Sequence, residues 1–275
     1  MKNALCIDVD DLYWSLREAS LTKAKESYFV DKETDQLLNF LDSAKINATF
    51  FIPGIFTKNS PSLVLEIYRR GHEIASHGTT HKKVRLYKAN EFLECVSRSK
   101  ETLEEISGQK VSIYKAPMWS LDKYTPWAYD TLIKAGYKID HSAMPKFKKF
   151  LNKTASDLVP FYYLEELLVI PPTVYSILEG TAFPICGGFY NAYLPLRFQI
   201  NYFKKLNREG LNFNYFFHPF EAFPSNENKR FFKKQGIYAT LYAAHSGRHF
   251  RLINTLIDIF RFDTLTASYE KYVRH

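Results

Sequence analysis

The chain has 275 residues, enough for one large α/β domain or two small ones, with 23 Phe, 19 Tyr and a net charge of +8. Its three cysteines, Cys6, Cys95 and Cys186, have no paired spacing, which excludes a disulfide framework and a thiolate zinc site. No apolar run reaches membrane-spanning length, and the basic runs (Lys146 to Lys149, Lys204-Lys205) are short, scattered and far from any nucleic-acid motif.

Ala4 to Asp8 reads as a short buried strand ending in acids, and Asp31 to Ala44 has helical spacing through Leu37, Leu38 and Leu41. Asn47 to Ile52 reads as a second strand, closed by Pro53-Gly54. Ser60-Pro61 opens a helix carrying Leu63, Val64 and Ile67 and ending near Gly71. Glu73 to Ser76 is the third strand. A helix over Asn90 to Ser107 stops at Gly108, a strand follows over Val111 to Tyr114, and a helix over Tyr124 to Ala135 stops at Gly136. Tyr137 to Asp140 is the next strand. Five strand–helix alternations in residues 1–142 predict a parallel sheet, open or closed as a barrel, with its active site at the carboxyl ends of the strands. Beyond residue 142 the rhythm weakens. Strands are expected at Leu168 to Ile170, Leu211 to Phe217 and Asp263 to Ala267, helices at Pro195 to Leu206 and 249–260, and a turn or loop at Cys186-Gly187-Gly188. With no repeat or linker, one domain over 1–275 is expected.

His77 and His81 stand four residues apart just past the third strand. If that segment coils into one helical turn, both rings face one point, and neutral imidazole is a favoured ligand for zinc and similar ions. The missing anionic ligand has one dense source, the cluster Asp8, Asp10 and Asp11 at the end of the first strand. Asp8, His77, Pro117 and Asp140 all fall at strand ends, so these stretches are expected to meet.

The set Ile7-Asp8-Val9-Asp10-Asp11, Thr49-Phe50-Phe51, Gly71-His72-Glu73-Ile74-Ala75-Ser76-His77-Gly78 with His81, Lys115-Ala116-Pro117, Ala135-Gly136-Tyr137 with Asp140 and Ser142, Gly187-Gly188 with Leu194-Pro195, and His218-Pro219-Phe220-Glu221 resembles the polysaccharide deacetylase (NodB-homology, carbohydrate esterase 4) superfamily. The likeness is greatest to its peptidoglycan-deacetylase, allantoinase-like and exopolysaccharide-cluster branch. It implies a distorted (β/α) barrel of about seven parallel strands and a metal-dependent N-deacetylase. It further implies His77, His81 and Asp10 as metal ligands, with Asp11 as the alternative to Asp10, and a divalent metal, zinc foremost. Asp8 would be the general base and His218 the general acid. Lys115 stands where the family commonly has Arg to fix the base. Trp119, Pro117 and Glu221 are candidates for the substrate site, Glu221 alternatively for orienting His218, and Asp140 for holding Lys115 or a neighbouring group.

The expected reaction is hydrolysis of the acetamido group of an N-acetylated sugar during surface-polysaccharide biosynthesis. The apolar start at Ala4 to Ile7, with no export signal ahead of it, suggests a cytoplasmic enzyme acting on a nucleotide- or lipid-linked precursor. No nucleic-acid partner is expected; the net positive charge is compatible with peripheral contact with an anionic membrane. The rivals are a deformylase or cyclic-amide hydrolase on the same metal centre, and a catalytically weak carbohydrate-binding protein.

Overall fold

The structure, a computed structural model, describes residues 1–10, 28–144, 158–178, 181–191, 193–226, 229 and 237–274. Asp11 and Lys146 to Lys149 lie outside the described residues. The first half follows the predicted alternation: β1 (Lys2–Asp8), α1 (Tyr28–Ala44), β2 (Thr49–Ile52), α2 (Gly54–Asn59), α3 (Pro61–Arg69), β3 (Glu73–Ser76), α4 (Ala89–Ser107), β4 (Ile113–Tyr114), α5 (Trp127–Lys134) and β5 (Ile139–Asp140). Then come β6 (Phe161–Tyr163), β7 (Leu167–Val169), β8 (Val174–Leu178), β9 (Thr181–Pro184), α6 (Gly188–Asn191), α7 (Leu196–Arg208), β10 (Asn214–Phe217), α8 (Pro219–Ala222), α9 (Ile237–Ile259), β11 (Arg261–Asp263) and α10 (Leu265–Ser268).

Seven strands run parallel in the order β10-β1-β2-β3-β4-β5-β7, with β6 antiparallel on β7 and β11 on the start of β1. The sheet curls into a distorted (β/α) barrel. Between β7 and β10 no ladder forms. Asn214 bridges that gap: its Nδ2 donates to Pro171 O (2.9 Å) and its Oδ1 accepts from Thr173 N (3.0 Å). On that same edge of β10, Gly187 makes a single parallel bridge to Phe216.

Side-chain alternation sorts the strands into two packed layers. Leu5, Ile7, Phe50, Ile52 and Ile74 face the helices, with Leu37, Leu38 and Leu41 of α1 and Leu63, Val64 and Ile67 of α3. Ala4, Cys6, Phe51, Ala75, Ile113, Ile139, Leu168 and Ile170 fill the barrel, and Leu265 and Tyr269 plug its lower end. The next inward position on each strand is then Asp8, His77, Lys115, His141 and, after Phe216, His218. Parity alone gathers these five at the carboxyl end.

Four expectations differ. A helix, α2, begins at Gly54 where only a turn was expected. Residues 77–83 form a bent loop, not a helical turn; Gly78 has φ 74°, a left-handed conformation that breaks the helix. The last strand ends at Asp263, because Thr264 accepts a hydrogen bond from Ala267 N (3.2 Å) and caps α10. The antiparallel pair β8–β9 and strand β6 had no sequence signal beyond scattered aromatics.

Candidate active site

The loop after β3 is held open by backbone bonds. The first amides of α2 donate to it: Gly54 N to Gly78 O (2.7 Å) and Ile55 N to Thr79 O (2.9 Å). Thr79 Oγ1 donates to Cys95 O on α4 (2.7 Å), and Ser99 Oγ to Gly78 O (3.0 Å). So fixed, His77 and His81 bring their rings to 5.4 Å. His77 Nδ1 donates to Lys115 O (2.7 Å), which leaves Nε2 as the free lone pair and turns it inward.

Asp10 meets them from β1. Its Oδ2 lies 2.9 Å from His81 Nε2 and 3.9 Å from His77 Nε2, and one donor atom from each residue falls within 4.8 Å of the others. Donors on one ion at about 2.1 Å stand about 3–3.5 Å apart. Two imidazoles and a carboxylate, all buried, therefore fit a divalent metal. Burial alone would push the Asp10 carboxyl up; His218, His81 and His77 around it outweigh that and hold it at about 2. Burial pushes His77 down to about 4, into the neutral form a ligand needs.

Asp8 stands beside this set in a buried ion pair. Lys115 Nζ is 2.7 Å from Oδ1 and 2.6 Å from Oδ2. The ammonium is caged by the faces of Phe216 (4.1 Å), Trp119 (4.3 Å) and Phe51 (5.2 Å). Lysine does here with a point charge what a guanidinium would do with a planar fork. Met118 and Trp119 both have positive φ, 54° and 52°, a strained turn that Ser120 Oγ pins by accepting from Val84 N (3.0 Å).

His218, at the end of β10, faces the same point. Its Nε2 is 3.3 Å from Asp10 Oδ1, and its Nδ1 bonds Glu221 Oε2 (3.0 Å), which also accepts from His218 N (2.7 Å). Burial lowers this imidazole, but Asp10 and Glu221 outweigh it and raise it to about 9. Glu221 is fully buried under His218, an orienting position rather than one exposed to substrate. Pro117 is likewise buried in its turn, whereas Trp119 is half-buried, edge-on to His141 (5.3 Å).

Asp140 does not hold Lys115. Its parity turns it away from the barrel, and its carboxylate accepts from Ser142 Oγ (2.6 Å) and Ser142 N (3.1 Å). Ser142 Oγ in turn accepts from Ala116 N (2.7 Å). Asp140 thus props the backbone that carries Lys115. His141 is not among the residues that the sequence singles out. It lies in the barrel against Phe51 (5.8 Å), its Nδ1 donating to Ile170 O (2.8 Å), and burial and Lys115 push it down to about 3. Its signal was the two-residue step from Ile139, the same step that leads from Ile113 to Lys115.

Comparison with known proteins agrees with this geometry. The family model for polysaccharide deacetylase matches residues 10–139, and that for a domain of unknown function (DUF3473) matches 135–270. A peptidoglycan-N-acetylglucosamine deacetylase of Bacillus cereus is 28% identical over 39% of this chain and 40% of its own. A peptidoglycan deacetylase of Helicobacter pylori is 27% identical over 46% of this chain and 39% of its own. The matches thus span well under half the length of these curated relatives. The crystal structure of a putative polysaccharide deacetylase from Mycobacterium smegmatis shares the fold, with TM-score 0.63 at 20% identity over 98% of this chain and 89% of that one. With an Asp–His–His set at the carboxyl end of a curled parallel barrel and the matching family model over residues 10–139, which include all three, the chain carries a polysaccharide deacetylase (carbohydrate esterase 4) domain.

Proposed function

We propose that this chain is a metal-dependent N-deacetylase that hydrolyses the acetamido group of an N-acetylated sugar in surface-polysaccharide biosynthesis. One observation carries the reading: a carboxylate paired to lysine, an imidazole paired to glutamate and a three-donor metal set converge on one buried barrel end. Asp10, His77 and His81 would hold a divalent ion, which we assign as zinc from the imidazole-rich donors; when bound it supplies a Lewis acid for the amide oxygen and acidifies water. Asp8 takes the proton from water as the water oxygen bonds to the carbonyl carbon. Lys115 keeps that carboxylate aimed. His218 delivers a proton to the nitrogen as the C–N bond breaks, giving acetate and the free amine. Glu221 fixes His218 so that Nε2 is the nitrogen presented to the site.

The reading treats residues 1–275 as one unit, because β1 from the first half pairs with β10 from the second. The net charge of +8 supports a substrate carried on a nucleotide or a lipid, and contact with an anionic membrane. Among the described residues no helix is long and apolar enough to cross a membrane. Three free cysteines support a reducing compartment, the cytoplasm. The test is acetate release from a panel of free, nucleotide-linked and lipid-linked N-acetyl sugars by zinc-loaded protein. Release that Asp8→Asn abolishes is expected. A chain that holds one metal through His77 and His81 and releases acetate from none of them refutes the reading and moves the assay to formyl and cyclic-amide substrates.

A further inference from the structure

The rim of the catalytic mouth carries charge and apolar surface that the chemistry above does not use. Two short 3₁₀ turns build it. Val84–Leu86 follows His81 in the loop after β3, and Pro117–Trp119 follows β4. β3 and β4 are neighbours in the sheet, and the turns are tied together where Ser120 Oγ accepts from Val84 N (3.0 Å). Leu86, 46% exposed, and Tyr124, 70% exposed, stand out from this rim. A hydrogen-bonded turn presents Tyr124: its N donates to Asp122 Oδ1 (2.9 Å), and Asp122 N donates to Thr125 Oγ1 (3.0 Å).

Cations surround the two apolar tips. Arg85, Lys88 and Lys123 are exposed, and Lys82 and Lys83 are half-buried. Lys82 Nζ lies over the Tyr87 ring (4.0 Å) and Lys123 Nζ over the Tyr124 ring (4.9 Å). The acids of the same stretches, Glu91 and Asp122, turn back on the backbone, accepting from Lys88 N (3.0 Å) and Tyr124 N. Residues 82–91 and 117–126 thus carry a net charge of +3, from five cations and two acids. The opposite end of the barrel is arranged differently. There surface cations sit beside acids: Lys2 with Asp263 (2.8 Å), Arg70 with Asp42 (2.8 Å) and Glu66 (2.9 Å), Lys205 with Glu209 (3.8 Å), and Arg274 with Glu165. Among the described residues, Lys82, Lys88 and Lys123 have no carboxylate within 4.0 Å. Positive charge is therefore neutralised pairwise at one end and left over at the mouth.

We propose that this rim docks the protein on an anionic lipid bilayer, with Leu86 and Tyr124 entering the headgroup region and Arg85, Lys88 and Lys123 over the lipid phosphates, so that the catalytic mouth faces the membrane. Charge complementarity selects an anionic partner. The aliphatic tip of Leu86 selects a bilayer over a soluble polyanion, which would leave that side chain in water. The proposal deepens the deacetylase reading, since a mouth held on a bilayer takes a sugar carried on a lipid.

Co-sedimentation of the full chain compares vesicles of phosphatidylglycerol and phosphatidylcholine in equal parts with vesicles of phosphatidylcholine alone. Preferential partitioning onto the anionic vesicles is expected at low salt, each rim cation contributing about fivefold. It should vanish at about 1 M salt, where screening acts within about 3 Å. Lys88→Glu with Lys123→Glu is expected to weaken partitioning at least about twentyfold. Lys110→Glu with Arg208→Glu makes the same charge change at exposed positions of the opposite end and should move it by less than about threefold. Leu86→Ser with Tyr124→Ser should weaken it at least about fivefold. All three pairs are expected to keep the wild-type thermal unfolding curve. Equal partitioning onto both vesicle types, or equal loss from the two charge-reversed pairs, overturns the proposal. So does partitioning indifferent to the Leu86 and Tyr124 pair, the mark of a surface for soluble polyanions. Because partitioning is read without turnover, a chain that docks yet releases no acetate refutes the deacetylase reading alone. A chain that releases acetate without docking refutes this one alone.

Discussion

The ion pair between Asp8 and Lys115 is the interaction whose removal the structure prices most sharply. Both side chains are buried, 6% and 1% exposed, and among the described residues no other acid pairs with the ammonium, which three aromatic faces surround. Lys115→Met keeps the length and the apolar fit inside that cage but leaves a carboxylate buried without its counter-charge. Stripping one partner from a buried pair costs about 3–5 kcal/mol. Asp8→Asn strands the ammonium at a similar cost. The double variant sets a neutral amide beside a thioether and removes both uncompensated charges, so it should lose only about 1–3 kcal/mol. The coupling in the cycle is then at least about 3 kcal/mol. The assay is urea unfolding of the four metal-free proteins, which keeps metal binding out of the comparison. With a slope of about 3 kcal/mol per molar, each single variant shifts the midpoint down by about 1–1.7 M. Costs that add to within about 0.5 kcal/mol would refute the reasoning, since independent sites behave in that way.

Three further outcomes are expected. Zinc at about 100 times its dissociation constant should stabilise the wild type by about 2.7 kcal/mol and leave His77→Ala unmoved; equal stabilisation of both removes His77 from the ligand set. Burial pushes Asp140 up to about 7 despite the bonds from Ser142, while the unfolded chain releases that proton near pH 4. Between those values the folded state holds a proton the unfolded state has lost. Stability attributable to Asp140 therefore falls as pH rises through the window, by on the order of a few kcal/mol. The wild-type stability minus that of Asp140→Asn should decline from pH 4 to 7, and a difference that is flat or rises contradicts the assignment. Gly187 has φ 118°, and a Cβ there would stand 1.8 Å from Phe216 O, so Gly187→Ala should cost more than about 4 kcal/mol or prevent soluble expression. A urea midpoint equal to wild type would show that β10 and the 187 turn do not approach so closely.

The first half of the fold was legible because its signals are local and mutually consistent. Pro61 opens α3, and Gly108, with φ 72°, closes α4 where expected. Short parallel strands buried on both faces show as apolar runs, as in Thr49 to Ile52. What failed depends on partners distant in sequence. The loop at 77–83 owes its shape to amides of α2 and to α4, which no local pattern encodes. Strand β6 exists because β7 offers it an edge, and Gly187 bridges Phe216 across 29 positions. In the site, residue types pointed to Asp10, His77 and His81, which the structure brings together, but the spacing argument for His77 and His81 assumed a helix. A loop pinned at Gly78 and Thr79 brings the rings together instead. Asp140 and His141 were read by residue type, acid near lysine and unassigned imidazole, when strand parity would have reversed them.

Parity also explains how a lysine serves at a position where the deacetylase resemblance leads one to expect arginine. Counting inward positions up each strand ends β1 on Asp8, β4 on Lys115, β5 on His141 and β10 on His218, with Phe51 and Phe216 one layer below. A guanidinium could bridge two carboxylate oxygens with a planar fork while its face stacked on a ring. The ammonium must instead be centred, and three aromatic faces at 4.1–5.2 Å do the centring, leaving Asp8 as its one charged partner among the described residues. His141, neutral and uncharged at working pH, completes the wall without competing for that charge. The site's charge order follows: an ammonium on Asp8, an imidazolium at His218 between Asp10 and Glu221, and a neutral imidazole at His77. That order comes from burial and from which strand end each residue terminates, so it belongs to the barrel as much as to the motif.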